Sequence, residues 1–443
     1  MIVMKFGGSS VGTPEKIKRC IDIVKSQIER KPVIVVSAHG KTTDNLIESA
    51  KKALTGKVET ENIRHYHQGL AEGLGIEWIP IEPLMRDLES LLHGISLIKE
   101  LTPRTLDHVM SFGERISSFM FAAAMTNQGI RAIPVSSYDI GLLTDSGFGN
   151  ATPLNGIEEE IGKNIAGFSD VPVVTGFIAK DERGDITTLG RSGSDFTASL
   201  IGAAIHAEEI QIWKDVDGVM TADPFVCSNA QNIPVMSFSE AGELAYYGAE
   251  VLHPSTLIPA MEKKIPVRVS NTLKPEEAGT TILADSQLVN HIAKSIVYKE
   301  DLCLIHVNSQ KFSSTARLLS SALEILNQQN IGIHIAATSE SSVSFATDQS
   351  YSEEVLHRAS ANLEQIGAVS IEKEKALICV VGEELKGNPE VLGDIFTAVG
   401  KSGIKARLVS QSASEINIAF LVDNSQIDGI VMHLHAILVG RQE

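Results

Sequence analysis

Ile2-Val3-Met4-Lys5-Phe6-Gly7-Gly8-Ser9-Ser10-Val11-Gly12 reads as a buried strand running into a glycine-rich turn. The apolar, β-branched run sets the strand, and a helical pattern starting near Pro14 follows it. Glycines in such a turn let backbone N–H groups approach a phosphate, and the N-terminus of the next helix adds partial positive charge. Lys5 stands at the C-terminal end of the strand, where charge is normally kept out. Its ammonium is a point charge of the kind a transferring phosphoryl group needs. The stretch matches neither the P-loop nor the dinucleotide-binding fingerprint, and a plain tight turn would also account for the glycine pair.

Outward from this stretch the chain alternates. Residues 33–37, 131–136, 172–178 and 209–214 are short apolar, β-branched runs, and residues 14–29, 42–54, 104–128 and 194–206 carry helical patterns. Such alternation predicts an α/β layer on a mostly parallel sheet. Residues 57–103 read as a mostly helical excursion, and the polar run Asp181-Glu182-Arg183-Gly184-Asp185 predicts a hairpin. Beyond about residue 285 the pattern changes to strand 302–307, helix 315–329, strands 331–337 and 342–347, helix 353–366 and strand 369–372. The order recurs as strand 377–381, helix 389–402, strands 404–410 and 416–422 and helix 426–438. Phe345-Ala346-Thr347-Asp348 returns as Phe420-Leu421-Val422-Asp423. Two βαββαβ units are the economical reading. The second lacks a last strand, which residues 292–298 can supply.

The 443 residues are too many for one compact core, so two or three domains are expected. A formal net charge of −17 argues against a nucleic-acid or anionic-membrane surface, but a local Lys or Arg can still hold a small anion. Cys20, Cys227, Cys303 and Cys379 are far apart, as befits buried thiols in a reducing compartment. With no basic leader and no run of 18 apolar residues, a cytoplasmic protein is expected.

Three further stretches carry chemistry. Leu189-Gly190-Arg191-Ser192-Gly193-Ser194-Asp195 is a second glycine-rich turn before a helix. Arg191 can grip a carboxylate, while Ser194 as N-cap with Asp195 in the first turn is the plainer account of the acid. Trp213-Lys214-Asp215-Val216-Asp217-Gly218-Val219-Met220-Thr221-Ala222-Asp223-Pro224 offers oxygen ligands and a lysine that suit a nucleotide with magnesium; alone it reads equally as a solvated acidic loop. Ser111-Phe112-Gly113-Glu114-Arg115 places a glycine inside a helix, which costs about 1 kcal/mol and points to a close approach. His65 and His67 alternate in a polar stretch and are expected in solvent, and no metal centre is expected.

Together these stretches resemble the aspartate kinases. That family's motifs occur here in its order: KFGGSSV, SAHGKTTDNL, SFGER, TLGRSGSD, KDVDGVMTADP and GAEVLHP, over residues 1 to about 285. The resemblance implies a three-layer α/β/α amino-acid-kinase domain over 1–285, then two ferredoxin-like ACT units: 301–374, and 286–300 with 375–443. It implies MgATP-dependent phosphorylation of the side-chain carboxylate of L-aspartate. In these terms Lys5 stabilises the moving phosphoryl group and Asp195 organises the lysines. Gly7, Gly8 and Ser9 donate to phosphate, and Lys214, Asp215, Thr221, Asp223 and Pro224 border ATP. Arg191 holds the substrate carboxylate and Glu114 its amino group, with Thr43 and Ser194 lining the same site. A homodimer or dimer of dimers through the ACT units is implied. Kinase activity on glutamate or N-acetylglutamate is the same-fold alternative, and a degenerate amino-acid sensor is the alternative of another class.

The sequence departs from the family pattern at several positions. Ser192 replaces a usual glycine, and Met220 and Phe225 stand where Tyr and Arg are frequent. Glu250 stands where lysine is frequent, with Lys214 as the compensating charge. Arg317, His334, Ser339 and Glu340 are the expected effector contacts. Arg317 and His334 replace the glycine and the acid of lysine-sensitive relatives, so either a neutral amino-acid effector such as threonine or methionine, rather than lysine, or a silent site is expected.

Overall fold

In the computed structural model of the protein the described residues are 1–248, 252–284, 293–309 and 314–439. The chain forms two compact units: Met1–Val219 with Pro234–Phe238 and Val251–Ser286, and Met220–Ile233 with Ser239–Glu250 and Gln287–Glu443. Two segments from within the range expected for the kinase domain, Met220–Ile233 and Ser239–Glu250, thus group with the C-terminal residues.

The first unit is built on an eight-stranded sheet. Its order is Ala132–Val135, Val171–Thr175, Pro32–Val36, Ile2–Phe6, Glu209–Lys214, Val267–Asn271, Thr280–Leu283 and Val235–Ser237. Neighbours run parallel except Val267–Asn271 with Thr280–Leu283. Ile2–Phe6 and Pro32–Val36 are buried along their whole length, which is why they read as near-continuous apolar runs, and Glu209–Lys214 is buried up to its last residue. Met4 and Phe6 lie in one apolar core with Ile17 and Leu46 from helices Pro14–Ser26 and Thr42–Leu54. Leu88 and Phe121, from Glu82–Ile98 and Pro103–Asn127, join the same core. Val3 and Lys5 point to the opposite face, against helix Gly193–Ala204.

The expected strand at 172–178 is two strands in different sheets. Val171–Thr175 belongs to the main sheet, and Ile178–Asp181 pairs with Ile186–Thr188 as the expected hairpin. Phe177 between them adopts φ +66°, which turns the chain out of the first sheet. A Cβ at Gly176 would lie 2.5 Å from the Ser194 side chain, so the same corner holds the strand tightly against the next helix.

The second unit is a six-stranded antiparallel sheet ordered Ile335–Thr338, Ser342–Asp348, Ser295–Asn308, Ala368–Val381, Asn417–Asp423 and Arg407–Ser410. Four helices accompany it: Thr315–Gln328, Glu353–Leu363, Pro389–Lys401 and Ile427–Leu438. The two βαββ patterns of the sequence are thus one sheet. The separate strands expected at 369–372 and 377–381 form one 14-residue strand, and so do those at 292–298 and 302–307, apart from residue 292, which lies outside the described residues. The polar residues Lys299, Glu300 and Asp301 hid this continuity; a register shift between Lys299 and Leu302 carries the pairing past them. Ser295–Lys299 pairs with Leu377–Val381, supplying the strand missing from the second repeat.

Candidate active site

The sheet register decides which charges meet. Lys5 lies beside Ile212 in the parallel pair, so Lys214, one pleat further, faces the same side. That side is covered by helix Gly193–Ala204, whose first turn carries Asp195. Lys5 Nζ is 2.6 Å from Asp195 Oδ1, and Lys214 Nζ is 3.2 Å from Oδ2. All three sit at the C-terminal ends of the two central strands, the customary ligand position in an open α/β sheet. Burial pushes the Lys5 ammonium down from its usual range, against the pull of Asp195. Burial alone would raise the Asp195 carboxyl, but Lys5 and Lys214 override it and hold the group ionised, below its usual range.

Glu114 approaches from helix Pro103–Asn127 and is felt electrostatically by Lys5. Its Oε1 accepts the Ala38 N–H at 3.1 Å, while Oε2 has no partner among the described residues. Burial pushes this carboxyl up to about 8. The helix-interior glycine next to it explains itself: a Cβ at Gly113 would lie 2.7 Å from the Ala38 side chain. Gly8 meets the same residue, since its Cβ would lie 2.8 Å from the Ala38 carbonyl. The turn after the first strand and the helix bearing Glu114 therefore close on Ala38 from two sides, and neither tolerates a larger residue.

The other expected residues separate into groups. Gly7 N–H is taken by the Trp213 carbonyl at 3.1 Å, so it is not a free phosphate donor; the N–H groups of Gly8 and Ser9 remain in the turn. Thr43 is half-buried in the first turn of helix Thr42–Leu54. Arg191 is exposed, and Asp215 is exposed at the strand end. The N-cap of helix Gly193–Ala204 is Ser192, not Ser194, which is buried inside the first turn. Ser192 adopts φ +57°, a left-handed conformation that glycine takes without steric cost. Thr221, Asp223 and Pro224 group with the second unit, and Glu250 lies outside the described residues.

Two features escaped the sequence reading. His67 is fully buried, contrary to expectation, because helical spacing puts it on one face with Ile63, Leu70, Ala71 and Leu74; only His65 is exposed. Its ring stands 5.5 Å from that of buried His39, on the loop leading to Thr43. Burial lowers both imidazoles, His67 to about 4, so the pair is neutral. Asp107 is also buried, two turns before Glu114, and accepts the N–H groups of Gly149 and Thr188 and the Thr188 hydroxyl, each at 2.9 Å. It ties the helix to the strand leading into Arg191; its spacing from Glu114 on one helix face was the available signal.

Among the expected effector residues, His334 Nε2 lies 3.1 Å from Asp348 Oδ2 and 3.0 Å from Lys299 Nζ, and Lys299 reaches Asp348 Oδ1 at 3.0 Å. Ser339 bonds Ser342 through side chain and backbone, and the Thr315 hydroxyl donates to the Ser339 and Glu340 carbonyls.

Comparison with known proteins points one way. Residues 1–271 match the model of the amino acid kinase family, and residues 378–438 match an ACT domain model. The chain is 37% identical to chloroplastic aspartokinase 1 of Arabidopsis thaliana over 98% of its own length and 79% of that protein's. Escherichia coli aspartokinase III in complex with aspartate and ADP superposes with TM-score 0.81 at 27% identity, covering 99% of this chain and 100% of that one. The lysine and aspartate complex of the same enzyme gives TM-score 0.81 at 28% identity, covering 99% of each chain.

Proposed function

The chain belongs to the aspartokinases of the amino acid kinase family, and from that premise we propose that it transfers the γ-phosphoryl group of ATP to the side-chain carboxylate of L-aspartate, giving 4-phospho-L-aspartate and ADP. The observation that carries this reading is the buried Asp195 carboxylate holding two lysines, which leaves a fixed excess of one positive charge where a phosphoryl group would move. In a chain of net charge −17 such a local excess is a built feature, suited to two anionic substrates.

The carboxylate oxygen of aspartate attacks Pγ in line; the bond from Pγ to the β,γ-bridging oxygen breaks, and ADP leaves. The attacking carboxylate is already ionised near pH 7, so no general base is required. Lys5 neutralises the equatorial oxygens as charge spreads over them, and Lys214 is the second cation. The N–H groups of Gly8 and Ser9 lie at the turn beside them. Arg191 takes the α-carboxylate, Glu114 the ammonium group, and Thr43 and Ser194 line the same side. Magnesium would be supplied as MgATP, where it would offset negative charge on the phosphates. Trapping the acyl phosphate with hydroxylamine, with aspartate against glutamate and N-acetylglutamate, tests the assignment. Preference for either competitor would overturn it.

Glu114 gives this reading a pH signature. The free protein holds the proton up to about pH 8, yet an ammonium group is best met by the carboxylate. Only the ionised fraction binds tightly, so aspartate Kd measured by calorimetry without ATP should fall by roughly ten- to thirty-fold between pH 6.5 and 8.5. Glu114→Gln should bind weakly at both pH values; a wild-type Kd that does not move with pH would remove Glu114 from the ammonium contact.

We propose three catalytic and regulatory regions near the residue ranges implied by the motifs, with the ACT pair binding an amino acid. Lys299, beside His334 and Asp348, adds positive charge where a lysine effector's side chain would come. Lysine alone should therefore inhibit weakly at subsaturating aspartate, and threonine or methionine more strongly. Initial-rate titrations with each amino acid check this; micromolar inhibition by lysine alone would refute it. A homodimer or dimer of dimers joined through the ACT units remains part of this proposal. Four buried, unpaired cysteines favour a reducing compartment such as the cytoplasm. Among the described residues no helix is long and apolar enough to cross a membrane.

A further inference from the structure

Helix Glu61–Leu74 belongs to the excursion over 57–103, which carries none of the motifs, yet it backs the two loops nearest Lys5 and Glu114. Beyond the ends of the first two strands these loops run on side by side. The Ser37 N–H donates to the Phe6 carbonyl at 3.2 Å, and the Gly40 N–H to the Gly8 carbonyl at 3.0 Å. Ala38 stands between them, its N–H on Glu114 Oε1 and its carbonyl where a Cβ at Gly8 would meet it. Tyr66 reaches this joint from the helix. Its hydroxyl donates to the Gly12 carbonyl at 2.8 Å, at the far end of the glycine turn, and a Cβ at Gly40 would lie 2.9 Å from the same oxygen. His67, the next residue, meets the second loop further on: its Nε2 lies 3.4 Å from the Thr42 hydroxyl, which donates to the His39 carbonyl at 2.6 Å. The helix is itself seated on Pro14–Ser26, since a Cβ at Gly73 would lie 2.5 Å from Pro14 Cγ and Lys18 Nζ donates to the Gly73 carbonyl at 2.9 Å. Tyr66 therefore approaches from a fixed platform.

We propose that Tyr66 is a positioning residue for phosphoryl transfer: its hydroxyl locks the glycine turn at 7–12 against the loop at 38–43, and so sets the line between the γ-phosphoryl group and the attacking carboxylate. This rests on the reading above, in which the turn meets the phosphates and the loop, with Glu114, meets aspartate. Tyr66 touches neither substrate. The Gly40–Gly8 hydrogen bond alone is one point of attachment, about which the two loops can pivot. The Tyr66 hydroxyl, bonded to Gly12 and close against Gly40, is a second point, and two points fix an angle. Each loop keeps its own ligand contacts when the second point is removed. Alignment is what goes, and in-line transfer is sensitive to misplacement on the scale of about 1 Å. The cost therefore falls on the transfer step and not on the binding of either substrate.

Tyr66→Phe removes one oxygen and keeps the ring. The single-turnover rate with both substrates saturating should fall by about ten-fold, the scale of one hydrogen bond, while the Kd values of aspartate and of MgATP by calorimetry stay within about two-fold. Lys18→Ala, which removes a contact of the same helix away from the joint, should transfer at the wild-type rate. Gly40→Ala should slow transfer, because the new methyl meets the Tyr66 hydroxyl, and should slow it less in the Tyr66→Phe background, where that oxygen is gone. The backbone strain of an alanine at φ +54° is common to both backgrounds and cancels in the comparison. Additive losses in the double variant would show that Tyr66 does not bear on the loop, and would overturn the proposal. A wild-type transfer rate in Tyr66→Phe would overturn it as well. So would equal losses in Tyr66→Phe and Lys18→Ala, or weaker binding of both substrates with a lowered Tm and an unchanged transfer rate, since these mark a merely structural contact. The two levels of the argument separate in the wild-type protein. If it yields no hydroxamate from aspartate, the reading beneath fails; if it does and Tyr66→Phe matches it, only the positioning role fails.

Discussion

Replacing Lys5 by alanine is expected to lower kcat by roughly 10²–10³-fold, the scale for one preorganised group aimed at transition-state charge. The side chain is buried at 5% exposure, so its charge acts in a setting where water screens little. The fold should survive, because Asp195 keeps Lys214 as a partner and stays neutralised. Aspartate binding by calorimetry should change little, since the loss belongs to the moving phosphoryl group. Lys5→Arg should not rescue: a planar guanidinium does not fit a slot shaped for a point charge between two central strands. A kcat within a few-fold of wild type would show that Lys5 is not the phosphoryl-facing cation.

Asp195→Asn is expected to damage stability and catalysis together. The substitution keeps the shape and removes the anion, leaving the Lys5 and Lys214 ammonium groups facing a neutral amide on the buried side of the helix. Breaking a buried ion pair by removing one partner costs about 3–5 kcal/mol. The pH dependence has a definite sign. Without Asp195 nothing comparable opposes burial, so the Lys5 ammonium titrates further below 10.5 in the folded protein. The unfolded chain then binds more protons, and stability must be regained as pH rises toward that value. Thermal melts at pH 7 and pH 9.5 check this. An Asp195→Asn variant that melts with wild type at both would dismiss the idea that one carboxylate anchors both lysines.

Legibility in the sequence followed the physics of each element. The central strands were readable because they are buried on both faces, and the helix ends because Thr13 and Thr102 stand ahead of Pro14 and Pro103 as caps. Lys5, Asp195 and Lys214 were readable as motif members, but their meeting required the register of two strands nearly the whole first unit apart in sequence. His67 was misplaced because two-residue alternation was noticed where a 3.6-residue period ruled. The long strands were split because Lys299–Asp301 and Glu372–Lys375 look like loops, whereas Lys375 there pairs with Asp423 and Glu372. The grouping of Thr221 and Asp223 with the C-terminal unit had no local signal at all, since their partners Tyr298 and His435 lie far along the chain.

The two 14-residue strands also set an order of events in time. A chain emerging from the ribosome can pair Leu302–Asn308 with Ser342–Asp348 soon after both are made, but Ser295–Lys299 must wait for Leu377–Val381. Non-local pairing of this kind is slow, and the interval exposes what it will later cover. The cluster that holds Ile296, Ala222 and Cys227 lacks Ile430, Val431 and Leu434 until helix Ile427–Leu438 has been synthesised. A polypeptide that stops between 309 and 376 would thus be left with sticky patches on both sides of the gap, and would be a substrate for chaperones before it could be an enzyme.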